Sequence, residues 1–317
     1  MPEPIAQKVF DQLCAFGSFS FAKSHAASFA LITYWHAWLR HYYPSAFFCG
    51  ILRNMPMGFY PLASVMSDAQ RAGITLLYPD INRSQVLPVL EARPSQKAAI
   101  RLGLASVDGV GEETAQAILA ARQDRPFTSL NDAIARTTMD RKTAEDLILS
   151  GAFDPFGERR QLLWDLVAAF EGRQGDRFVL TGADEQAPLQ PLTRREKLHH
   201  EFTRLGGLIN AHLLDLRAEQ YAALKLTPSS LLKQMKDGAK VRVGGINAVR
   251  QRPPTAKGTA FLAVEDKLGL MNIIVPKAVY ERDRQASRAP FVIIEGRVQR
   301  ADNVINVVAD KVLTVSS

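Results

Sequence analysis

Val107-Asp108-Gly109-Val110-Gly111-Glu112-Glu113-Thr114-Ala115 is the stretch on which the middle of the chain turns. A Gly–hydrophobic–Gly turn between two helices is the core of a helix-hairpin-helix. Glycines let the backbone come close to a phosphate, and the amides at the start of the next helix point at its oxygens. Val110 is expected to anchor the turn in a core, and Ala115 to let the helices pack closely. Such a turn grips a strand through backbone groups and does not read base sequence. Gly109, Val110, Gly111 and Thr114 are therefore candidate DNA contacts, with Arg122 at the far end of the helix as a further one. Glu112 and Glu113 suit the positive end of a helix dipole but repel a phosphate they face. The alternative is a tight helix–helix turn without a ligand. A weaker copy of the pattern spans Met139–Gly151.

On either side the pattern is helical. Val9, Leu13 and Phe16, then Ala27, Ala30, Leu31, Tyr34, Trp35 and Trp38, follow helical spacing. Pro44 opens Ser45–Leu52, and Leu62–Arg71 is a helix stopped by Gly73. Short strands are expected at Ile74–Tyr78, Val86–Glu91 and Ala99–Leu102. Helices are expected at Glu112–Arg122, after Ser129 as N-cap, at Arg141–Ser150, and at Thr193–Leu205. Arg173–Pro191 has little periodicity and reads as a linker. Ser24, in Phe21-Ala22-Lys23-Ser24-His25, fits the N-cap of the long apolar helix after it.

After Lys240 the period changes to two. Val241–Ile246, Thr259–Val264, Leu270–Val275, Phe291–Val298 and Val304–Val315 are β-rich runs, with a short helix at Lys277–Gln285. Five strands with a helix between the third and fourth match the plan of an OB-fold barrel. This part also holds the charge. The 317 residues carry a net +7, and residues 240–317 contain 13 Lys/Arg against 7 Asp/Glu. A small basic domain attracts polyanions. Lys240, Arg242, Arg250, Arg252 and Lys257 cluster on the first strand and the loop after it. An OB groove binds single strands with such cations and with aromatic platforms. Phe261, on the second strand, is either such a platform or a core residue, the commoner place for it.

The composition, with 47% hydrophobic and 22% charged residues, is that of a globular protein. No run is long and apolar enough for a membrane span, and no secretory signal is visible, so a cytoplasmic location is expected. Cys14 and Cys49 are unclustered and are expected to be buried thiols. No metal-ligand spacing is present.

Several segments in order resemble the bacterial C-family DNA polymerases, the DNA polymerase III alpha type. Lys23–Leu31 with Trp38-Leu39-Arg40 and Tyr43–Phe47 is similar to the end of the family's fingers domain. Asn54–Tyr60, Tyr78–Asn82, Arg101–Leu104, the hairpin at Gly109–Gly111 and Pro126–Leu130 are similar to the stretches that follow. Val249–Pro253, Thr255–Gly258 and Val264–Asp266 look like the error-prone, translesion branch. The chain departs from that branch at Ala22-Lys23, where its members often have Pro-Glu. The resemblance implies an α+β, multidomain chain: residues 1–102 as the end of the fingers, 103–170 as a tandem helix-hairpin-helix region, 171–239 as linker and connecting helices, and 240–317 as the OB-fold barrel. It implies that Lys23 and His25 face DNA or the incoming nucleotide. It also implies that the catalytic aspartates of the palm, and the PHP domain, lie upstream of such a region, so this chain alone is expected to be inactive. No cofactor is expected for it, Mg²⁺ belonging to a complete polymerase. The partners implied are single-stranded or primed DNA, an upstream palm-bearing polymerase chain, and a mutagenesis accessory protein. The other reading is a protein-interaction module for such accessory proteins, without an independent role on DNA.

Overall fold

The computed structural model describes residues 2–19, 22–58, 60–94, 97–173, 189–301 and 304–314, with side chains at 15–19 and 171–173 excepted. Helix α1 spans Glu3–Phe19, α2 Lys23–Tyr42 and α3 Pro44–Arg53. Packing begins at α3, where Phe48, Cys49 and Leu52 are buried. In contrast, α2 has no buried residue, although Phe29, Leu31, Trp35 and Trp38 lie along it. Its start also differs from expectation. Ala22 is the N-cap, and Ser24 lies inside the first turn without capping it. Cys49 is buried, and burial raises its thiol pKa despite the opposing Arg53. Cys14 is exposed, so the expectation of buried thiols holds only for Cys49.

Helix α4, Leu62–Arg71, ends where Gly73 adopts φ +77°. Three short strands follow: β1 Leu76–Leu77, β2 Val89–Glu91 and β3 Ala99–Arg101. They form a sheet of order β1-β3-β2, parallel between β1 and β3 and antiparallel between β2 and β3. Only two residues of the expected Ile74–Tyr78 strand pair. At its end Asp80 Oδ1 accepts from the amides of Asn82 and Arg83 and turns the chain.

Beyond the sheet lie α5 Glu112–Ala121, α6 Leu130–Arg136, α7 Arg141–Ser150, α8 Arg159–Arg173 and α9 Arg194–Leu205. Ser129 caps α6 and Asp140 caps α7, each accepting from a backbone amide of the first turn. Thr193 precedes α9 as its N-cap and forms a capping box with Glu196. One continuous core runs from Phe48 through Leu104, Ile118, Leu147 and Phe153 to Ile209. The expected division at 102–103 therefore falls inside a single core. Most of the expected linker, residues 174–188, lies outside the described residues.

Two short helices, α10 Ala218–Ala223 and α11 Ser229–Leu232, lead to the second unit. There β4 Lys240–Gln251, β5 Ala260–Asp266, β6 Gly269–Val275, α12 Lys277–Arg282, β7 Phe291–Ala301 and β8 Val304–Leu313 follow in order. The strands close into a barrel of order β4-β5-β6-β8-β7, with β7 returning to β4. All pairs are antiparallel except β6 with β8. This is the expected five-stranded OB plan, with α12 between the third and fourth strands. Alternation fills the interior: Val241 and Val243, Leu262 and Val264, and Met271 and Ile273 are all buried.

A buried polar cluster joins the barrel to the helical unit. Glu265, at the end of β5, accepts from Ser64 Oγ and from Arg71 Nη1, both on α4 and both at 2.7 Å. His212 Nε2 is 3.7 Å from the same carboxylate. Burial acts to raise the pKa of Glu265, but its neighbours His212, Arg71 and Ser64 outweigh it and hold the carboxyl below its usual value.

Candidate nucleic-acid interface

At the hairpin, Gly109 turns the backbone with φ +84°, a conformation open to glycine at little cost. Val107, Val110 and Ala115 are buried beneath the turn. Gly111 is the N-cap of α5, and no side chain caps that start. The first-turn amides therefore face outward without a side-chain acceptor. The starts of α6, α7 and α9 are closed by Ser129, Asp140 and Thr193. Asp140 places a carboxylate where the second copy of the pattern, Met139–Gly151, would need to accept a phosphate. That copy is built for packing: Met139 is buried.

In front of the hairpin is a concavity walled by Ala105–Gly111 and by Thr203–Gly206. Arg204 enters here, a residue that sequence reading does not single out. Its Nε lies 2.6 Å from Asp146 Oδ1, and Lys142 Nζ lies 2.6 Å from the same carboxylate. Asp146 is 3% exposed and sits under the turn, so that a Cβ on Gly109 would be 2.9 Å from its Oδ2. The backbone amide of Asp108 donates to the Arg204 carbonyl at 2.7 Å, tying the hairpin to the end of α9. Thr114 is half-buried in the first turn of α5, and Glu112 and Glu113 are exposed. The hairpin thus offers aligned backbone donors, with little free positive charge of its own.

Arg122 does not join this surface. Its Nη1 donates to the Ile81 carbonyl at 2.7 Å, and its Nη2 bonds the Ser84 carbonyl. Burial pulls the guanidinium pKa down against the opposing charge of Asp80. The phosphate role expected for Arg122 is replaced by a structural one, holding the loop after β1. The donors of Arg122 are satisfied by carbonyls about forty residues away in sequence, a partnership with no local signal.

On the barrel the five candidate cations divide. Arg242 Nε faces Glu295 at 3.4 Å, its cross-strand neighbour, and Nη1 donates to the Leu224 carbonyl. Arg252 donates to the Gly258 carbonyl at 3.2 Å and lies over the Tyr280 ring at 4.9 Å. Lys240, Arg250 and Lys257 are exposed, and among the described residues none of the three has an ion-pair partner. Phe261 is on the outer face and 39% exposed, while its neighbour Leu262 is buried. It is not a core residue. It stands in a cross-strand row with Gln251 and Ile274. Lys23 and His25 are exposed on the first turn of α2, and His25 packs its ring with the centroid 4.4 Å from that of Phe29. No helix among the described residues is long and apolar enough to cross a membrane.

The helix-hairpin-helix family model matches residues 73–163. The chain is 36% identical to the error-prone DNA polymerase of Aromatoleum aromaticum, over 98% of this chain and 30% of that protein. It is 35% identical to that of Anaeromyxobacter dehalogenans, over 97% and 28%, and 37% identical to that of Corynebacterium glutamicum, over 96% and 28%. The chain thus spans a little under a third of the length of these relatives. Likeness to solved structures is partial. The asparaginyl-tRNA synthetase from Pyrococcus horikoshii is 26% identical, with 29% of this chain and 23% of that one covered and a TM-score of 0.25. An OBody bound to hen egg-white lysozyme is 16% identical, with 26% and 82% covered and a TM-score of 0.22. The similarity runs along nearly the whole sequence, with the hairpin inside it: the chain matches the C-terminal part of the error-prone DNA polymerases, a little under a third of those proteins.

Proposed function

We propose that this chain holds single-stranded or primed DNA for error-prone, translesion synthesis in replication and damage-induced repair. In this reading the hairpin amides orient a backbone phosphate, and the basic barrel supplies the attraction. The bond-making aspartates and their Mg²⁺ belong to the part of the relatives outside the match. The observation that carries the reading is the uncapped start of α5 at Gly111, together with a barrel on which Lys240, Arg250 and Lys257 are exposed without an ion-pair partner among the described residues. Backbone contacts position a strand without reading it, which suits an enzyme that must accept any template.

The test is fluorescence anisotropy with a primed oligonucleotide across a salt series, alongside nucleotide incorporation with Mg²⁺. Steep salt dependence and no incorporation are expected. Salt-independent binding, or incorporation by the pure chain, overturns the reading. A finer expectation follows from the geometry. Replacing Arg250 and Lys257 together by Ala lowers the slope of log affinity against log salt by about 1.4, two single-strand phosphate contacts at about 0.7 each. Replacing Arg242, which is spent on Glu295, leaves the slope unchanged.

A second reading draws on α2. Its exposed Trp35, Trp38 and Leu39 form an apolar surface of the kind that marks protein contact, with a palm-bearing polymerase chain or a mutagenesis accessory protein as the candidate partner. Loss of capture of such a partner with unchanged DNA affinity in a Trp35→Ala, Trp38→Ala variant would favour it.

A further inference from the structure

The barrel's outer face meets the helical unit at one residue that neither the hairpin nor the cations explain. Tyr60, from the segment between α3 and α4, is 59% exposed. It lines a concavity of about 360 Å³ whose other walls include Phe261, Gln251, Asn272, Ile274 and Asn306. The barrel side is ordered by strand pairing. Gln251, Phe261 and Ile274 form one cross-strand row, and Ala263, Asn272 and Asn306 the next. The site therefore has two exposed aromatic side chains, one from each unit, and three side-chain amides. Among the described residues, the amides of Gln251, Asn272 and Asn306 have no hydrogen-bond partner. Flat apolar walls with free donors and acceptors at their edges match a planar heteroaromatic group whose rim carries both kinds of polar atom. An unpaired nucleobase is such a group. Single-strand binding proteins hold bases by stacking on aromatics and bonding their edges.

The concavity is linked to the hairpin by shared wall residues. Tyr60 lines a neighbouring groove with Arg53, Ala105, Ser106 and Leu205, and the last three also wall the hairpin concavity. A strand whose phosphate sits at the α5 amides can follow this surface to the barrel.

We infer that Tyr60 and Phe261 form a two-sided pocket for one unpaired base of a single strand, with Gln251, Asn272 and Asn306 bonding its edge. The inference rests on the DNA-binding function proposed above and adds to it a site shared by the two units. A base held there would link helical unit and barrel, so that binding a strand restrains their relative movement. The polar atoms are amides and can meet either donors or acceptors, so the pocket accepts more than one base.

The test uses the full chain and a twelve-nucleotide oligothymidylate, with anisotropy as readout, and a set of the same strand in which a single abasic site is stepped along the sequence. Tyr60→Ala and Phe261→Ala are each expected to weaken binding about tenfold, the scale of one lost base stack, while Tyr60→Phe binds as the parent does. The double variant should lose much less than the product of the two single losses, because both side chains hold the same base. One abasic position should reproduce the loss in the parent, and on that strand Tyr60→Ala should bind as the parent. Tyr60 is largely exposed, and equal melting temperatures would verify that its variants fold. If Tyr60→Ala binds the intact strand as tightly as the parent while Phe261→Ala and the Arg250/Lys257 double variant weaken it, the shared pocket is wrong and DNA binding stands. If Tyr60→Ala weakens binding equally on every abasic strand, the contact is not to a base and the pocket is again wrong. If none of these variants alters affinity, both the pocket and the proposed DNA surface fail.

Discussion

Glu265→Ala is expected to cost about 3–5 kcal/mol of stability, the usual result of removing one partner from a buried ion pair. The carboxylate is 2% exposed and serves three neighbours. Without it, Arg71 loses its 2.7 Å partner, Ser64 loses its acceptor, and His212 faces an empty site. Asp68 remains 3.6 Å from Arg71 and keeps part of the guanidinium charge balanced. That places the loss toward the lower end of the range. Against a typical total of about 5–15 kcal/mol, it is still a large fraction. The damage should appear at the joint between the units, because Glu265 lies on the barrel strand β5 while its partners Ser64 and Arg71 lie on α4 of the helical unit. Urea unfolding is expected to split into two transitions in the variant. A single transition with an unchanged midpoint would show that the cluster does not join the units. The pH dependence follows from the lowered carboxyl pKa of Glu265. A group whose folded pKa lies below its unfolded value, about 4.3 for Glu, stabilises the fold fully above that value. The contribution is lost as pH falls through the folded pKa. Stability of the parent and of Glu265→Gln should thus differ near neutrality and converge as the solution is acidified below about pH 4.

Much of this architecture is legible in the sequence because its causes are local. Arg141–Ser150 is helical over the expected span, since a capping residue at one end and a left-handed glycine at the other are both nearest-neighbour effects. The barrel strands follow from alternation, which a one-residue slip would reverse. That rule also contains the answer for Phe261: with Leu262 and Val264 inward, Phe261 must face out. What escapes is non-local. A long arginine such as Arg122 serves a phosphate or a pair of carbonyls equally well, and only the fold brings Ile81 and Ser84 within its reach. The boundary at 102–103 fails for the same reason, since Leu102 and Leu104 are buried in one core with residues from Phe48 to Ile209. Of the candidate interface, the hairpin was visible as a motif. The base pocket was not, because Tyr60 and Phe261 are two hundred residues apart and meet only when the units dock.

Gly111→Ala is expected to separate folding from binding, and the reason lies in how differently the two hairpin glycines are placed. Gly109 is required by the fold. Its φ is +84°, and a side chain there meets Asp146, which Lys142 and Arg204 hold in place. Gly109→Val should therefore cost about 1–3 kcal/mol in backbone strain alone, and any loss of DNA affinity would be mixed with misplacement of the turn. Gly111 has φ −70° and ψ 163°, a conformation open to any residue, and an added Cβ would meet no protein atom within 4 Å. Beyond the N-cap preference for glycine over alanine, about 1 kcal/mol, folding does not call for glycine at that position. A ligand does, since a methyl group at the N-cap would stand where a phosphate approaches the α5 amides. Gly111→Ala is expected to leave the melting temperature within a few degrees and to weaken primed-DNA binding by about tenfold, the worth of one charge-assisted hydrogen bond. The salt slope should change little, because a neutral amide neutralises no phosphate and so releases no counterion from the DNA. Should Gly111→Ala bind primed DNA as the parent does, the hairpin would be a packing turn and the barrel would carry the affinity alone.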